Sequence, residues 1–440
     1  MYAHSHHVFE ELERLGLPGD LGAKGDIQAG MPLADEPYLQ LHEPLDAARA
    51  AELSRLARVA QLSLSEGSTV SLDALAAMPS LRGLAIVQGE GSYDGVDALT
   101  GLQALQLRGA VELRREVLAP IVRARRLELL QVDRGVAGAG VADALASLAE
   151  APSLRALVLR VDRGAVSASD LGELCAAPGL RTLDLGNNAG WLRDDHLGSL
   201  AAASALETLI LRDNGPHHAS ITDAGLVKHA GGLRALRHLD LTTCKGVGWK
   251  GLQAVAKLPL RRVAVGSTYS SDRKTNDKAV AMLAALSELE HLHLQGCASL
   301  TDAGFGALGH LTALGALVLV GQHKVSLGAV ERYLASLSKL RVLALEAPVT
   351  DETLASLPHP EQLVRVWLSD VSRLTERGYR ALASMSAPER VELWGCSGEP
   401  AMLELLAKSP LAGKTKLFCP LLGADERAAL GATYPQLRIY

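Results

Sequence analysis

LEHLHLQGCASLTDAGFGALGHL, residues 289–311, is the stretch whose reading decides the fold. Leu289, Leu292 and Leu294 stand three and then two apart, so the last two share one face of a short strand, and Cys297 follows three residues on. Thr301, Asp302, Phe305, Leu308 and Leu311 then read as a capped amphipathic helix, with an N-cap, an acid in the first turn and apolar residues at helical spacing. A strand, a turn and a helix in so short a period cannot bury their own apolar face. The segment therefore predicts stacking on copies of itself.

The copies are present. With the first position of LxxLxL as a marker, starts fall at Val59, Leu81, Leu102, Leu127, Leu154, Leu180, Leu206, Leu236, Leu260, Leu289, Leu314, Leu340, Leu363, Pro388 and Lys414, fifteen in all. Successive spacings run from 21 (81 to 102) to 30 (206 to 236) residues. An Asn or Cys at the ninth position completes the pattern at Leu180, Leu183, Leu185 and Asn188, at Leu206, Leu209, Leu211 and Asn214, and at Leu236, Leu239, Leu241 and Cys244.

This pattern resembles the leucine-rich-repeat family over nearly everything after residue 55, and ITDAGL (221–226) and LTDAGF (300–305) resemble its cysteine-containing and ribonuclease-inhibitor-like subtypes. The resemblance implies an α/β solenoid, a curved horseshoe or arc with a parallel β-sheet on the concave face and helices on the convex face. Residues 55–440 form the repeat domain, and residues 1–54 form a non-repeat segment read as its cap. In that segment Val8, Phe9, Leu12 and Leu15 lie at helical spacing, while 18–38 is rich in Gly, Pro and Asp and reads as a loop. LPGDL (17–21) resembles the opening of an F-box, but the apolar helices of that motif do not follow it.

Composition excludes several classes. The net charge is −5, and lysine and arginine are scattered rather than massed, which argues against nucleic acid as a partner. No apolar run approaches the roughly 20 residues that span a bilayer, and the N-terminus has no secretory pattern, so no membrane association and a cytoplasmic location are expected. Cys244, Cys297 and Cys396 occupy ninth positions, where a thiol turns inward and can bond a neighbouring loop; Cys175 falls in a convex helix and Cys419 in the last full strand. No CxxC or Cys–His pairing at ligand spacing exists, so neither a metal nor another cofactor is expected, and no disulfide either.

Positions three, five and seven of each repeat point to the concave side. From Leu180 to Leu289 these are polar, including Asp184, Arg212, His238, Asp240, Arg262, His291, His293 and Gln295. The repeats from Leu314 and Leu340 present small apolar residues such as Ala316, Val318 and Ala344, and the last ones present Arg365, Trp367, Arg390, Glu392, Trp394, Lys416 and Phe418. A His pair two apart can ligate a metal and a His/Asp set can move protons, yet solvated recognition residues fit His238, Asp240, His291 and His293 better. No GxSxG, phosphate loop or HExxH appears. Two stretched repeats, 213–223 and 266–278, insert after their strands and read as rim loops free either to lengthen or to carry contacts.

The expected function is a non-catalytic protein–protein interaction module that holds a protein or peptide on its concave face and rim loops. The contact patch centres on Arg365, Trp367, Arg390, Glu392, Trp394 and Phe418, because two of only four tryptophans and one of three phenylalanines fall there. The alternative is a regulator acting on another enzyme, of the GTPase or ubiquitin-ligase-adaptor type, or a weak metal-dependent activity at the His291/His293 face.

Overall fold

The computed structural model describes residues 38–40, 60–64, 72–78, 80–86, 93–188, 191–212, 221–267, 274–321 and 324–440. Apart from the strand Tyr38–Gln40, the expected cap therefore lies outside the described residues, as do residues 213–220 and 268–273 of the two rim insertions. The chain divides into two compact units between Gly246 and Val247.

Among the described residues of the first unit nine parallel strands follow one another in sequence order, from Tyr38–Gln40 through Ala104–Glu112, Leu129–Val136 and Ala156–Arg163 to His238–Asp240. The pairing register holds the repeat markers level. Leu105, Leu130, Leu157, Leu183, Leu209 and Leu239 are successive cross-strand partners, and all are fully buried. The second unit repeats the plan with eight parallel strands, from Arg262–Gly266 and His291–Gln295 to Thr415–Phe418 and Arg438–Ile439.

Repeat length decides what returns the chain on the other side. The two shortest repeats, from Val59 and Leu81, have only 3-10 turns there, Leu72–Ala77 and Val96–Ala98. The repeat from Leu102 is longer and holds the α-helix Arg115–Arg123, and Val141–Ala149 and Ala168–Cys175 follow. The segment read first as a helix is Asp302–Gly306 followed by the 3-10 turn Ala307–His310, capped by the Thr301 hydroxyl accepting from the Ala303 amide. Among the described residues no helix is long and apolar enough to cross a membrane.

The TDAG segments have a stacking role. The aspartate that opens one helix accepts two hydrogen bonds from the N-cap residue of the next repeat, one from its amide and one from its hydroxyl. Asp194 takes Thr222 at 2.8 and 2.5 Å, Asp277 takes Thr301 at 2.7 and 2.6 Å, and Asp302 takes Ser326 at 2.6 Å twice. Asp351 and Thr375 make the same pair. The glycine of TDAG leaves room for this carboxylate: a Cβ on Gly225 would stand 2.3 Å from Asp194 Oδ1, and one on Gly304 would stand 2.5 Å from Asp277 Oδ1. At Ser326 the equivalent place holds Ala329, and there the facing Asp302 is exposed.

Gly225→Ala is expected to push the Asp194 carboxylate off Thr222 and destabilise the chain by about 2 kcal/mol, the scale of two lost hydrogen bonds. Asp194→Ala should then cost little more in that background than alone, which urea denaturation of the double-mutant cycle reads directly. Additive losses would separate the glycine from the carboxylate. The hydroxyl and amide of Ser326 hold the Asp302 carboxyl below its ordinary range. The stability it contributes is present above about pH 4 and lost as pH falls through the lowered folded value.

Candidate functional site

The concave face of the first unit closes on itself. Gln106 and Gln131 both donate to Asp133, at 2.9 and 2.7 Å. Arg160 bridges Asp133 and Asp184 at 3.3 Å each, and Asp184 also accepts from the Gly186 amide at 2.7 Å. Further along, Arg212 Nε meets Asp240 Oδ2 at 3.1 Å, while Asp240 Oδ1 accepts from the amide and hydroxyl of Thr242 at 2.8 and 2.7 Å. Charges of alternating sign thus stand on successive strands, where like charges would repel. The expectation of a solvated recognition surface meets burial here: His238 is 4% and Asp240 2% exposed, and Asp240 spends its acceptors within the ladder.

In the second unit His291 and His293 sit on one strand, with Arg262 and Ala264 beside them on one side and Ala316 and Val318 on the other. Among the described residues no third ligand stands with them, and no cluster of three or more His, Cys, Asp or Glu exists that could hold a metal. Burial, aided by the Arg262 guanidinium, pulls the His291 imidazole down from 6.5 to about 4.

The C-terminal repeats gather the expected patch into two layers. Glu392, 3% exposed, lies under two cations: its Oε1 accepts from Arg390 Nε at 2.9 Å and faces Lys416 Nζ at 3.4 Å. Arg365 pairs with Glu389 at 3.3 Å. Trp367, expected as an exposed anchor, is only 6% exposed, and its indole Nε1 is buried without a hydrogen-bond partner. The more open layer is aromatic. Trp394 and Phe418 are paired across strands and stack at 3.7 Å with 5° between planes; Tyr440 continues the stack at 5.0 Å and 16°, and it is half exposed. Tyr440 was missed by reading only full repeats, although the half-repeat PQLRIY puts it in the same column as Trp394 and Phe418.

No family model matches this sequence, and no curated protein is detectably similar to it. Among solved structures, the chain is similar to a leucine-rich-repeat protein of Leptospira interrogans, at 17% identity over 93% of this chain and 96% of that one, with a TM-score of 0.44. It is similar to a chain of the TLR13–ssRNA13 complex at 18% identity, over 91% and 55% of the two chains, TM-score 0.43. A chain of the yeast Rad7–Elc1 complex aligns at 14% identity, over 95% and 88%, TM-score 0.48. The fold assignment rests on this chain's own geometry. Asn188 at a ninth position donates to the Leu159 carbonyl of the preceding repeat at 2.6 Å and accepts from the Val161 amide at 2.8 Å, and Cys244 donates to Leu211 at 3.2 Å. The chain has the leucine-rich-repeat fold.

Within that fold the ninth-position thiols belong to the scaffold. Cys297 and Cys396 donate to carbonyls at the ends of their own strands, at 3.7 and 3.4 Å, and all five cysteines are buried and outside any disulfide. Cys396 and Cys419, one repeat apart, hydrogen-bond to each other, which together with burial raises the Cys396 thiol well above its usual value. Burial alone pushes the Cys175 thiol up to about 12.

Two outcomes are expected. Asp184→Ala should destabilise the chain by about 3 kcal/mol, because Arg160 is left partly unpaired in a buried place; chemical denaturation against the wild type measures it. The His291 imidazole should titrate near pH 4 by NMR. Because its folded value lies below the unfolded one, its contribution to stability grows as pH rises from about 4 to 6.5 and is lost as pH falls through that window. His291→Asn should flatten that part of the pH–stability curve, and an unchanged curve would remove the assignment.

Proposed function

We propose that this protein is a non-catalytic interaction module whose protein partner docks on the C-terminal concave surface of the second unit. The observation that carries this reading is the partly exposed stack Trp394–Phe418–Tyr440 beside Arg390 and Lys416. Aromatic rings held rigid by their neighbours offer apolar area at little entropic cost, and adjacent arginine supplies donors and a stacking plane; such groups dominate interface hot spots. Trp367, the cross-strand neighbour of Glu392, is buried beside the patch and helps to hold its strand in place. Glu392 sets the positions of Arg390 and Lys416. The expected contact residues are thus Arg365, Arg390, Trp394, Lys416, Phe418 and Tyr440, with Trp367 and Glu392 as their support. No specific observation favours the metal-dependent or enzyme-regulating alternatives.

The module is tested by quantitative affinity capture with wild-type chain, Trp394→Ala, Phe418→Ala and, as a control, Val227→Ser on the helix Asp223–His229, where Val227 is an exposed residue. A partner retained by the control and lost from both ring variants is expected, with each ring worth about 2 kcal/mol or more in a follow-up titration. Trp367→Ala should instead lower stability by about 3 kcal/mol or more, as truncation of a large buried side chain does. Partners captured equally by all four proteins would remove the patch from the account.

A further inference from the structure

The first unit carries a second opening, with no part in the aromatic stack. A cleft of about 660 Å³ lies where the 3-10 turns Leu72–Ala77 and Val96–Ala98 and the helix Arg115–Arg123 end and the chain turns into the following strands. That volume is in the range of ligand-binding clefts. Its floor is apolar, formed by Leu75, Met78, Leu81 and Leu99. Its walls are cationic. Arg123 is paired with Asp97 at 2.8 Å, while Arg82, Arg125 and Arg126 have no ion-pair partner among the described residues. Four guanidiniums against one carboxylate, in a chain whose net charge is −5, mark a local reversal of sign.

The spread of these cations defines the ligand. Arg82 O accepts from the Gln103 and Ala104 amides, and Gln103 O in turn accepts from Glu128 and Leu129, so Arg82 and the Arg125–Arg126 pair stand two repeats apart. Two strand spacings are roughly 10 Å. One carboxylate or phosphate is too small to engage both ends, whereas carboxylates two residues apart on an extended peptide stand roughly 7 Å from one another, with the arginine side chains closing the remainder. An aliphatic side chain of the same peptide can enter the floor.

We propose that this cleft docks an extended acidic segment of a partner protein, its carboxylates on Arg82 and on Arg125 or Arg126 and an aliphatic side chain over Leu75, Met78, Leu81 and Leu99. Charge complementarity commits the site to this occupant. The proposal does not depend on the aromatic stack, so either can fail alone.

The test is fluorescence anisotropy of the full-length chain with a fluorescein-labelled pentapeptide Glu-Leu-Asp-Leu-Glu, and with the same peptide bearing Gln and Asn in place of its acids. The acidic peptide is expected to bind and the amide peptide not to. Arg82→Gln and Arg126→Gln are each expected to weaken binding about fivefold, the scale of one lost solvent-exposed ion pair, and Arg125→Gln serves if either fails to fold. Arg134→Gln, whose residue pairs with Asp162 outside the cleft, should bind as the wild type does. Equal binding of the amide peptide, or unchanged affinity in the Arg82 and Arg126 variants, would overturn the proposal. So would complete displacement by millimolar inorganic phosphate, which assigns the cleft to a free anion. Dimerisation in sedimentation, reversed by the peptide, would assign it to a second copy of the chain. Loss of peptide binding in Trp394→Ala with full binding in the arginine variants would place the peptide on the other surface.

Discussion

Parallel strands one repeat apart lie about 4.8 Å from one another, and every side chain meets the residue at the same position of the repeats before and after it. That spacing governs the rest of the structure. Leucines at the fourth position become the unbroken buried column from Leu105 to Leu239. Charges must alternate or repel, which they do from Asp133 through Arg160 to Asp184. Flat rings fall into contact, as Trp394 and Phe418 do at 3.7 Å. The helix side obeys the same period through the aspartates of one repeat and the N-caps of the next.

The consequence for function is a division between closed and open columns. In the first unit the polar concave groups are consumed by their neighbours, so a polar inner surface there is largely scaffold. In the second unit the sequence changes character: Val318 and Ala344 are short, Trp367 is buried beyond them, and the aromatic stack beside it ends on a half-exposed Tyr440. Side chains whose neighbours do not exhaust them are the ones left for a partner. The cationic cleft of the first unit follows from a similar excess, since Arg82, Arg125 and Arg126 have no acid paired with them among the described residues.

Much of this was legible beforehand. The spacing of Leu289, Leu292 and Leu294, the N-cap at Thr301 and the inward turn of Cys244 all follow from local periodicity, which a single repeat displays. Exposure on the concave face was not legible in the same way, because it depends on pairs of repeats. Asp240 reads as a free acid until Arg212, one repeat earlier, is set beside it, and Glu392 until Arg390 and Lys416 are. Setting neighbouring repeats side by side would have exposed the diagonal pairs Arg160–Asp184 and Arg212–Asp240, and the column that ends in Tyr440. The stacking role of Gly225 and Gly304 needed the carboxylates of Asp194 and Asp277 in place, because an open turn and a filled one look alike in sequence. The cleft is lined by residues of three successive repeats, so it is a property of their assembly.

The central claim is that the open aromatic column, and not the closed polar one, meets the partner. Hydroxyl-radical footprinting of the full chain, alone and with its captured partner bound, measures this most directly. The account predicts reduced oxidation at Trp394, Phe418 and Tyr440 in the complex, with Trp249 on the helix Trp249–Val255 oxidised equally in both. Unchanged oxidation at the three stacked rings, with protection at Trp249 instead, would contradict it.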